Sequence, residues 1–386
     1  MTELDVVIIG GGIQGLLALD TLMASGYACA LVTDGDLGGG QTLHSHGFLN
    51  TGFGMLGDRL VRASTELVQP YLREHGATPT GEWLVVPPPG FPGMDASPIS
   101  SLPAGFNGAI AERVVSVPDR NVAKPEFVAA VSRGHEERII RGRATLECAG
   151  SNVATVVVQS ASTHDALALT PKVVVVAAGC GSKRIIEGLL GRTAQTERIK
   201  HRRVHMICVR GPRGSLPAVS VTVMPLGLML VAHDRGDSVT WYATPMEFGG
   251  PSFDDVPNDA SADCDPAMLA RGYNALLQLF PQLPEIEGLR IGRYAGYRQD
   301  IGDEPGATMC ELVDGTSNVI VALPSGLVAP WLHAQRIGGL VDDLVAPSRH
   351  QPPVPGAGIG VRVGSVVEDR QDFEWLTAGT FAELTT

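Results

Sequence analysis

The feature that most constrains this chain is a glycine turn between an apolar strand and an apolar helix. Residues 6–9 read Val-Val-Ile-Ile, residues 10–15 read Gly-Gly-Gly-Ile-Gln-Gly, and a second apolar run ends at Thr33-Asp34. Strand, glycine turn, helix, strand and acid is the layout that holds a dinucleotide. The glycines let the backbone approach a pyrophosphate, and the helix N-terminus faces its negative charge. A purely structural turn is the alternative. The predicted cofactor-binding residues are Gly10, Gly12, Ile13, Gln14 and Gly15.

Two residues at the end of the second strand are candidates for the contact with the ribose. Asp34 can accept a hydrogen bond from a ribose hydroxyl of the adenosine half. Thr33 is the other candidate, because a shift of one residue along a strand end reverses the direction of the side chain. Asp34 can also be a simple turn residue of Asp34-Gly35-Asp36. Both Thr33 and Asp34 stay candidates for cofactor binding.

Composition sets the broad class of the protein. The chain has 386 residues, enough for two domains, and 44% of them are hydrophobic, enough for a large core. Glycine (47) and proline (27) are plentiful, as suits a loop-rich α/β protein around a cofactor. The net charge of −12 argues against nucleic acid as a partner.

Targeting and metal-binding signals do not stand out in the sequence. The first residues carry no positive cluster, and no apolar stretch approaches the roughly 18 residues of a membrane span. The six cysteines form no C-x-x-C pair, and no His, Cys and Asp residues cluster with metal-ligand spacing. We therefore expect a cytoplasmic protein with reduced thiols, no membrane span and no metal.

A second turn follows an apolar strand in the middle of the chain. Residues 172–176, Lys-Val-Val-Val-Val, are typical of a buried parallel strand, and residues 177–182 form a turn after it. Ligands of doubly wound sheets bind at the carboxyl ends of the strands. We therefore expect Ala178 and Gly179 to lie near the cofactor. Residues 203–245 then read as antiparallel strands of a second sheet, followed by a helix at 266–279.

The order of these motifs resembles the D-amino-acid-oxidase-like family of FAD oxidoreductases, which includes glycine oxidase, sarcosine oxidase, dimethylglycine dehydrogenase and L-2-hydroxyglutarate oxidase. That order is a glycine turn, a histidine-containing loop at 41–52, an Ala-Gly turn, an antiparallel sheet, the strand segment Ala295-Gly296-Tyr297-Arg298, and a last strand with a glycine turn. The resemblance spans about residues 4–345, and it implies bound FAD. The tail after residue 350 has no counterpart in it.

The resemblance implies an α/β fold in which a Rossmann-like FAD-binding domain is interleaved with a second, α+β substrate domain built on an antiparallel sheet. We expect the FAD-binding domain in residues 1–80, 115–200 and 300–350. The substrate domain is expected in residues 81–114 and 201–299, and a C-terminal extension in residues 351–386.

The resemblance also implies further cofactor-binding residues. They lie in the histidine-containing loop, in the segment 117–131 and in the last glycine turn: Gln41, Thr42, His44, Gly47, Val122, Pro324, Ser325, Gly326 and Leu327. His44 matches the residue that bonds covalently to the flavin in dimethylglycine dehydrogenase, so a covalent bond through His44 stays open. Thr33 occupies the position at which the family usually has its ribose-binding acid.

Two kinds of side chain are candidates for the chemistry. Arg298 matches the arginine that grips the substrate carboxylate in glycine oxidase, and the planar fork of an arginine gives two parallel charge-assisted bonds. Gln299 replaces the proline of that motif, and Arg293 is the next candidate. His44 and His46 are candidate general bases, with backbone-bonded histidines in a tight loop as the alternative. Further candidate substrate residues are Asn50, Tyr242 and Tyr297.

Together these features predict an FAD-dependent oxidase or dehydrogenase. It would oxidise a C–H bond beside an amine or hydroxyl of an amino acid, a secondary amine or a 2-hydroxy acid, by hydride transfer to flavin N5. The expected partners are a small-molecule substrate and oxygen or another electron acceptor, with a homo-oligomer as an open option. Two alternatives remain: a flavin-binding non-catalytic subunit of a heteromeric complex, and an NAD-dependent dehydrogenase.

Overall fold

The computed structural model describes residues 2–50, 59–77, 79–91, 97–100, 102–160, 165–246, 252–253, 264–302, 307–324 and 326–384. The strands in these ranges fall into two large sheets and one small pair. In chain order they are β1 (Thr2–Ile9), β2 (Cys29–Thr33), β3 (Phe48–Leu49), β4 (Trp83–Val86), β5 (Ser97–Ile99), β6 (Val114–Val117), β7 (Arg120–Asn121), β8 (Ile139–Ala149), β9 (Asn152–Ser160), β10 (Ala166–Val176), β11 (Ile199–Pro212), β12 (Ser220–Val223), β13 (Leu228–Asp234), β14 (Ser238–Pro245), β15 (Ser252–Phe253), β16 (Arg290–Ile301), β17 (Met309–Leu312) and β18 (Val319–Leu323).

The helices surround these sheets. They are α1 (Ile13–Ala24), α2 (Gln41–His44), α3 (Arg59–Glu74), α4 (Lys124–Ser132), α5 (Ser182–Leu190), α6 (Ala194–Glu197), α7 (Pro266–Leu279), α8 (Ala329–Leu344) and α9 (Ala378–Leu384). Helix α7 has the bounds predicted from the sequence. The short helix α2 lies inside the loop 41–52, where the sequence indicated no helix.

The first large sheet has β1 at its centre. Strand β1 pairs in parallel with β2 and β10, β2 with β8, and β10 with β18, while β17 closes one edge antiparallel. Strands β2 and β18 and the C-terminal halves of β1 and β10 are almost wholly apolar, as expected for strands that are covered on both faces. Helices α1, α4 and α8 pack on one face through Leu16, Phe127 and Trp331. The end of β8 and the start of β10 pair with β9, which belongs to the same sheet.

The second large sheet is mostly antiparallel. Its order is β5-β6-β4-β12-β13-β14-β11, with β15 and β16 also paired to β11, and β4 runs parallel to β12. Helix α7 packs on one face through Leu269 and Leu276. The opposite face carries Tyr242 and Tyr294 and takes Val367 of the C-terminal extension into its apolar cluster. The Rossmann-like sheet joined to an antiparallel sheet confirms the predicted fold class.

The two sheets divide the chain in an interleaved way. Strands from residues 83–117 and 199–301 form the antiparallel sheet, and strands from the rest of the chain up to residue 323 form the parallel one, apart from the small pair β3–β7. Strand β6 runs three residues past the boundary expected at 114, because its last residues pair with β4 at Trp83. No helix among the described residues is both long and apolar enough to cross a membrane.

The C-terminal extension lies across both sheets. Near its start, Gly364 N–H donates to the Leu37 carbonyl at 2.9 Å, next to the end of β2. Further along, Leu376 and Ile291 of β16 exchange two backbone hydrogen bonds of 2.8 and 2.9 Å. Residues 364–376 therefore bridge the parallel and the antiparallel sheet, and they are called the bridging segment below.

A glycine on β16 makes room for the bridging segment. A Cβ atom on Gly292 would lie 2.3 Å from Cε1 of Phe373 and 3.0 Å from the Glu374 carbonyl. We predict that Gly292→Ala displaces the segment and costs about 1–3 kcal/mol of stability, as overpacking does. The measurements are the unfolding midpoint and hydrogen exchange of residues 364–376.

The matched control is Gly339→Ala, at an exposed position of α8 where a Cβ would meet nothing within 4 Å. This change should leave exchange in the bridging segment unaltered and stabilise the helix slightly. Equal exchange in both variants would contradict the proposed packing.

Candidate functional site

A cavity of about 1080 Å³ opens at the carboxyl ends of the parallel strands. One part of its wall is the glycine turn after β1, the end of β2 and the turn after β10. The other part comes from β8, α2, α5, the end of β16, the turn after β18 and the bridging segment, and the arginines on the wall are Arg143, Arg184 and Arg370. The predicted residues that line it are Gly10, Gly12, Ile13, Gln14, Thr33, Asp34, Gln41, Thr42, Ala178, Gly179, Pro324, Gly326 and Leu327. Ser325 lies outside the described residues.

Two of the turn glycines are required by the fold itself. Gly10 has a φ of +122°, and a Cβ there would lie 2.3 Å from the Ala177 carbonyl oxygen. A Cβ on Gly15 would lie 1.9 Å from the Gly10 carbonyl oxygen. Helix α1, β1 and the turn after β10 therefore meet closer than any side chain permits. Gly15 supports the turn from behind and is not part of the cavity wall.

Gly12 differs from these two. Its φ is −77°, and a Cβ there would meet only Oγ1 of Thr42, at an ordinary contact distance of 3.5 Å. Protein packing therefore does not demand glycine at this position. Because Gly12 lines the cavity at the start of α1, a ligand that approaches the backbone closely explains it better.

Buried polar atoms without partners also face this cavity. Both amide atoms of Gln14 are buried with no hydrogen-bond partner among the described residues, and so is Oε1 of Gln299. The Nε2 of Gln299 donates to the Pro324 carbonyl at 3.2 Å. Buried polar groups are nearly always paired in native proteins. A polar ligand that reaches both ends of the cavity satisfies these groups, and a dinucleotide has the required length and donors.

The end of β2 separates the two candidates for the ribose contact. Thr33 is buried, and its hydroxyl donates to the Gly35 carbonyl at 3.1 Å. Asp34 is exposed and lines the cavity. Asp34 is therefore the better placed of the two to accept a bond from a ribose hydroxyl, although Thr33 also forms part of the wall.

His44 ends α2 just behind the cavity wall. Its Nε2 accepts a hydrogen bond of 2.8 Å from the Arg370 guanidinium, and its carbonyl accepts one of 3.0 Å from the Tyr294 hydroxyl. Burial, together with the charges of Arg370 and Lys124, lowers the pKa of His44 to about 4. The imidazole is therefore neutral near pH 7, with one ring nitrogen already engaged.

His46 is held deeper in the same loop. Its carbonyl accepts a bond of 2.8 Å from His233 Nε2, and its own Nδ1 is buried without a partner among the described residues. Burial and the charges of Lys124 and Arg298 lower the pKa of His46 to about 3. Neither His44 nor His46 belongs to the described cavity wall.

Gly47 and Val122 support this loop through the backbone. Gly47 has a φ of +81°, and its carbonyl accepts a bond of 2.9 Å from Val122 N–H. A Cβ on Gly47 would lie 2.7 Å from the Val122 carbonyl oxygen. The structure therefore places both residues beneath the loop and not on the cavity wall, so any contact with the cofactor would be indirect.

Arg298 is occupied by a buried carboxylate. Its Nε lies 3.0 Å from Oδ1 of Asp300, while Nε of Arg202 lies 2.7 Å from Oδ2 of the same residue. Asp300 is 1% exposed, so it depends on these cations for its charge balance. Arg298 does not line the cavity among the described residues.

The remaining candidate substrate residues are also placed away from the cavity wall. Tyr297 accepts a bond of 3.2 Å from Arg203 Nε, and Asn50 lines a separate small cavity beside Leu49. Arg293 follows the strand alternation to the face opposite Tyr294. The Tyr242 hydroxyl is buried against the Glu368 carboxylate of the bridging segment.

Several wall and support residues had no clear signal in the sequence. Gly364, Ser365 and Arg370 come from the bridging segment, which no strand or helix pattern tied to the first turn. Lys124 opens α4, is 2% exposed, donates to the Ser45 carbonyl and lies 4.1 Å above the Tyr242 ring. Burial lowers the pKa of Lys124 to about 8, although the Glu368 carboxylate acts in the opposite direction. No group of His, Cys, Asp and Glu in the described ranges is arranged to hold a metal ion.

Comparison with known proteins agrees with this geometry. Residues 5–97 match the sequence model of the family described as FAD dependent oxidoreductase. A probable FAD-dependent oxidoreductase of Pseudomonas aeruginosa is 46% identical over 48 residues, an alignment that spans 12% of this chain and 12% of that relative. The crystal structure of the P. aeruginosa FAD dependent oxidoreductase superposes with a TM-score of 0.72 at 19% identity, covering 95% of this chain and 97% of the other.

Two further solved structures share the fold. Glycine oxidase from Geobacillus kaustophilus has a TM-score of 0.66 at 16% identity, covering 92% of this chain and 98% of the other. L-amino acid deaminase from Proteus vulgaris has a TM-score of 0.68 at 15% identity, covering 91% and 97%. The family match at residues 5–97, together with the shared fold, confirms the predicted resemblance to the D-amino-acid-oxidase-like family. At these identities the superpositions show a common fold and not a common substrate.

Gly10 and Gly15 lie against protein backbone, whereas Gly12 faces the cavity. A substitution of Gly12 should therefore affect cofactor binding and leave the stability of the protein unchanged. Gly12→Ala should leave the melting temperature of the apoprotein nearly unchanged, because the new methyl group meets only Thr42 Oγ1. It should weaken FAD binding by roughly tenfold or more, because the methyl group occupies the cavity floor. The measurements are thermal unfolding and FAD titration by fluorescence quenching.

Gly338→Ala, in α8 with nothing within 4 Å of the added Cβ, is the control for a plain glycine replacement. An FAD affinity for Gly12→Ala equal to that of this control would argue against a pyrophosphate at the turn.

Lys124 predicts a specific dependence of stability on pH. Its native pKa of about 8 is below the ordinary value of 10.5, so between these values the unfolded chain holds more protons than the native one. The free energy of unfolding should therefore rise as the pH increases from about 8 to 10.5. Below pH 8 the buried amine is charged in the native state, and its destabilising effect is then at its maximum. Relative to Lys124→Met, the wild type should gain on the order of 1–2 kcal/mol between these pH values.

Urea unfolding midpoints of both proteins, in the same cofactor state, measure this gain. Lys172→Met is the control for the loss of a lysine charge, at a side chain that is 54% exposed and pairs with Asp5. A wild-type curve that runs parallel to the Lys124→Met curve across the window would show that Lys124 keeps an ordinary pKa.

Proposed function

We propose that this chain, which has the fold and the N-terminal motif of FAD-dependent oxidoreductases, is an FAD-dependent oxidase or dehydrogenase acting on small amines, amino acids or 2-hydroxy acids. The observation that carries the proposal is the single cavity that runs from the Gly10–Gly15 turn to the end of β16 on the antiparallel sheet. A cavity of this kind would hold a long cofactor across the parallel sheet and a small substrate at the second sheet. Two solved neighbours are named for glycine and for L-amino acids, which supports this substrate class.

The wall residues divide into three groups toward FAD. Gly10, Gly12 and the first N–H groups of α1 would hold the pyrophosphate, and Asp34 would hold the ribose. Gln41, Gln299 and the residues of the turn after β18 would surround the flavin ring. Bound FAD would supply the hydride acceptor for a C–H bond beside an amine or hydroxyl.

The protein's own part in the reaction is to orient the substrate and to take up a proton. His44 and His46 are both neutral well below pH 7, so either ring is in the correct state to accept a proton from an ammonium or hydroxyl group. Of the two, His46 has the ring nitrogen without a partner among the described residues, and this ring lies outside the described cavity wall. His44 Nε2 already accepts from Arg370, which makes His44 the group that orients Arg370.

The same hydrogen bond bears on covalent attachment of the flavin. Because Nε2 of His44 is engaged by Arg370, a bond between His44 and the flavin would have to form through Nδ1 or displace the arginine. Acid precipitation of the purified protein distinguishes the two forms of the cofactor. Yellow in the pellet that disappears in His44→Ala indicates a covalent bond, and yellow in the supernatant indicates bound FAD without one.

The test of the proposed function is reduction of the bound flavin. We expect the purified protein to show a flavin absorption spectrum that bleaches anaerobically with at least one amino acid, secondary amine or 2-hydroxy acid. Reoxidation by oxygen, a quinone or an artificial acceptor then separates oxidase from dehydrogenase. A yellow protein that no donor reduces would favour a non-catalytic flavin-binding subunit. A colourless protein that cannot be reconstituted with FAD would contradict the proposal and favour a nicotinamide cofactor.

A further inference from the structure

The bridging segment contributes Gly364, Ser365 and Arg370 to the cavity wall. Its two ends are fixed by the backbone hydrogen bonds to Leu37 and Ile291. Between them, Val367 is buried in the apolar cluster of the antiparallel sheet, two residues after Ser365 on the cavity wall. A segment held at both ends and in its middle gives its side chains defined positions.

Ion pairs fix the part of the segment just before Arg370. The side chain of Glu368 is 0% exposed, and its Oε1 accepts from Arg235 Nη2 at 3.0 Å and from the Tyr242 hydroxyl. Asp369 accepts from Arg210 Nη2 at 2.7 Å. Two arginines of the antiparallel sheet therefore hold the two acidic residues, and the next residue along the chain is Arg370 at the cavity.

Arg370 is a cation with unused donors on the cavity wall. Its Nη2 donates to His44 Nε2 at 2.8 Å, and no carboxylate of the described residues lies within ion-pair distance of it. A guanidinium has five N–H donors, so four remain for other acceptors. Arg298 is the opposite case, because Asp300 already takes its charge and Arg298 does not line the described cavity.

The contacts of Arg370 indicate which part of the cavity it serves. His44, its partner, touches Tyr294 of β16 by a hydrogen bond from the tyrosine hydroxyl and by an edge contact of the two rings. The guanidinium therefore lies toward the wall formed with the antiparallel sheet. The Gly10–Gly15 turn, where a pyrophosphate is expected, belongs to the parallel sheet.

We propose that Arg370, supplied by the C-terminal extension, is the anion-binding residue of the candidate site and takes the carboxylate of the substrate. The inference rests on the proposed function and restricts it to amines, amino acids or hydroxy acids that carry a carboxylate. His44 holds the guanidinium by accepting one N–H, and the free edge of the fork receives the two carboxylate oxygens. Phosphate oxygens of FAD are the other anions that the same chemistry can bind, so the experiment has to separate the two.

The experiment titrates the FAD-loaded protein with non-oxidisable ligands and follows the flavin absorption spectrum. Benzoate and acetate are compared with benzamide and acetamide, which have similar shapes without the charge. We expect the wild type to respond to the carboxylates and far less to the amides. Arg370→Gln should weaken carboxylate binding on the order of a hundredfold, and Arg370→Lys should recover part of it, because lysine keeps the charge and loses the fork.

Three further measurements make the assignment specific. With the donor that reduces the flavin, Arg370→Gln should raise KM far more than it lowers kcat. The FAD dissociation constant of Arg370→Gln should stay within about twofold of that of the wild type, since a positioned carboxylate contact leaves the pyrophosphate site untouched. Arg362→Gln, at an exposed arginine of the same extension that pairs with Asp36, should resemble the wild type throughout.

Several results would overturn the assignment. They are a wild type that binds none of the carboxylates, an Arg370→Gln variant that behaves like Arg362→Gln, and a loss of carboxylate binding in Arg298→Gln alone. A loss of FAD affinity in Arg370→Gln with carboxylate binding intact would assign the arginine to the cofactor phosphates instead. In each of these cases a flavin that is still reduced by a donor leaves the proposed function standing, so the two failures are distinguishable.

Discussion

The close contact of three backbone segments at the glycine turn is the constraint on which the site depends. Gly15 of α1 lies against the Gly10 carbonyl, and Gly10 lies against Ala177 after β10. Any side chain at these two glycines would force the helix and the two strands apart. The contact therefore fixes where α1 begins relative to the sheet, and with it the direction of its N-terminal N–H groups toward the cavity.

A second level of order comes from side chains that connect the two sheets across the cavity. Gln299 at the end of β16 donates to Pro324 after β18, and Tyr294 of β16 donates to His44 at the end of α2. Each bond links the antiparallel sheet to a loop of the parallel sheet. Buried hydrogen bonds of this kind are expensive to leave unmade, so they hold the sheets at one separation. The width of the cavity follows from that separation.

The parts of the molecule that the sequence predicts are those governed by local patterns. The Gly10–Gly15 turn, the buried strand at 172–176 and the helix at 266–279 each carry a periodicity or a backbone requirement that only one structure satisfies. Eight of the cofactor residues predicted from such patterns line the cavity, and so do five that only the family resemblance implies. The contact between Thr33 and Gly35 is also local, but its direction depends on strand geometry that the sequence leaves open.

The parts that the sequence does not predict depend on pairing between distant segments. The residues near Arg298 in sequence do not predict that Asp300 also pairs with Arg202 of β11. The register between β11 and β16 brings Arg202 and Asp300 together. The course of residues 364–376 depends on backbone bonds to Leu37 and Ile291, which lie far away in sequence. A buried lysine such as Lys124 looks like an ordinary helix start until the sheet that covers it is known.

The lack of a side chain at Gly292 makes positions 292 and 373 dependent on each other. The ring of Phe373 occupies the volume that a side chain at position 292 would need. A larger residue at position 292 is acceptable only if the residue at position 373 is smaller than phenylalanine. The two positions should therefore vary together among relatives that carry a similar extension. Transplanting residues 364–376 onto another protein of this fold would accordingly require a glycine at the matching place in its strand. The packing of the Phe373 ring against Gly292 thus fixes the place on the antiparallel sheet at which the extension binds.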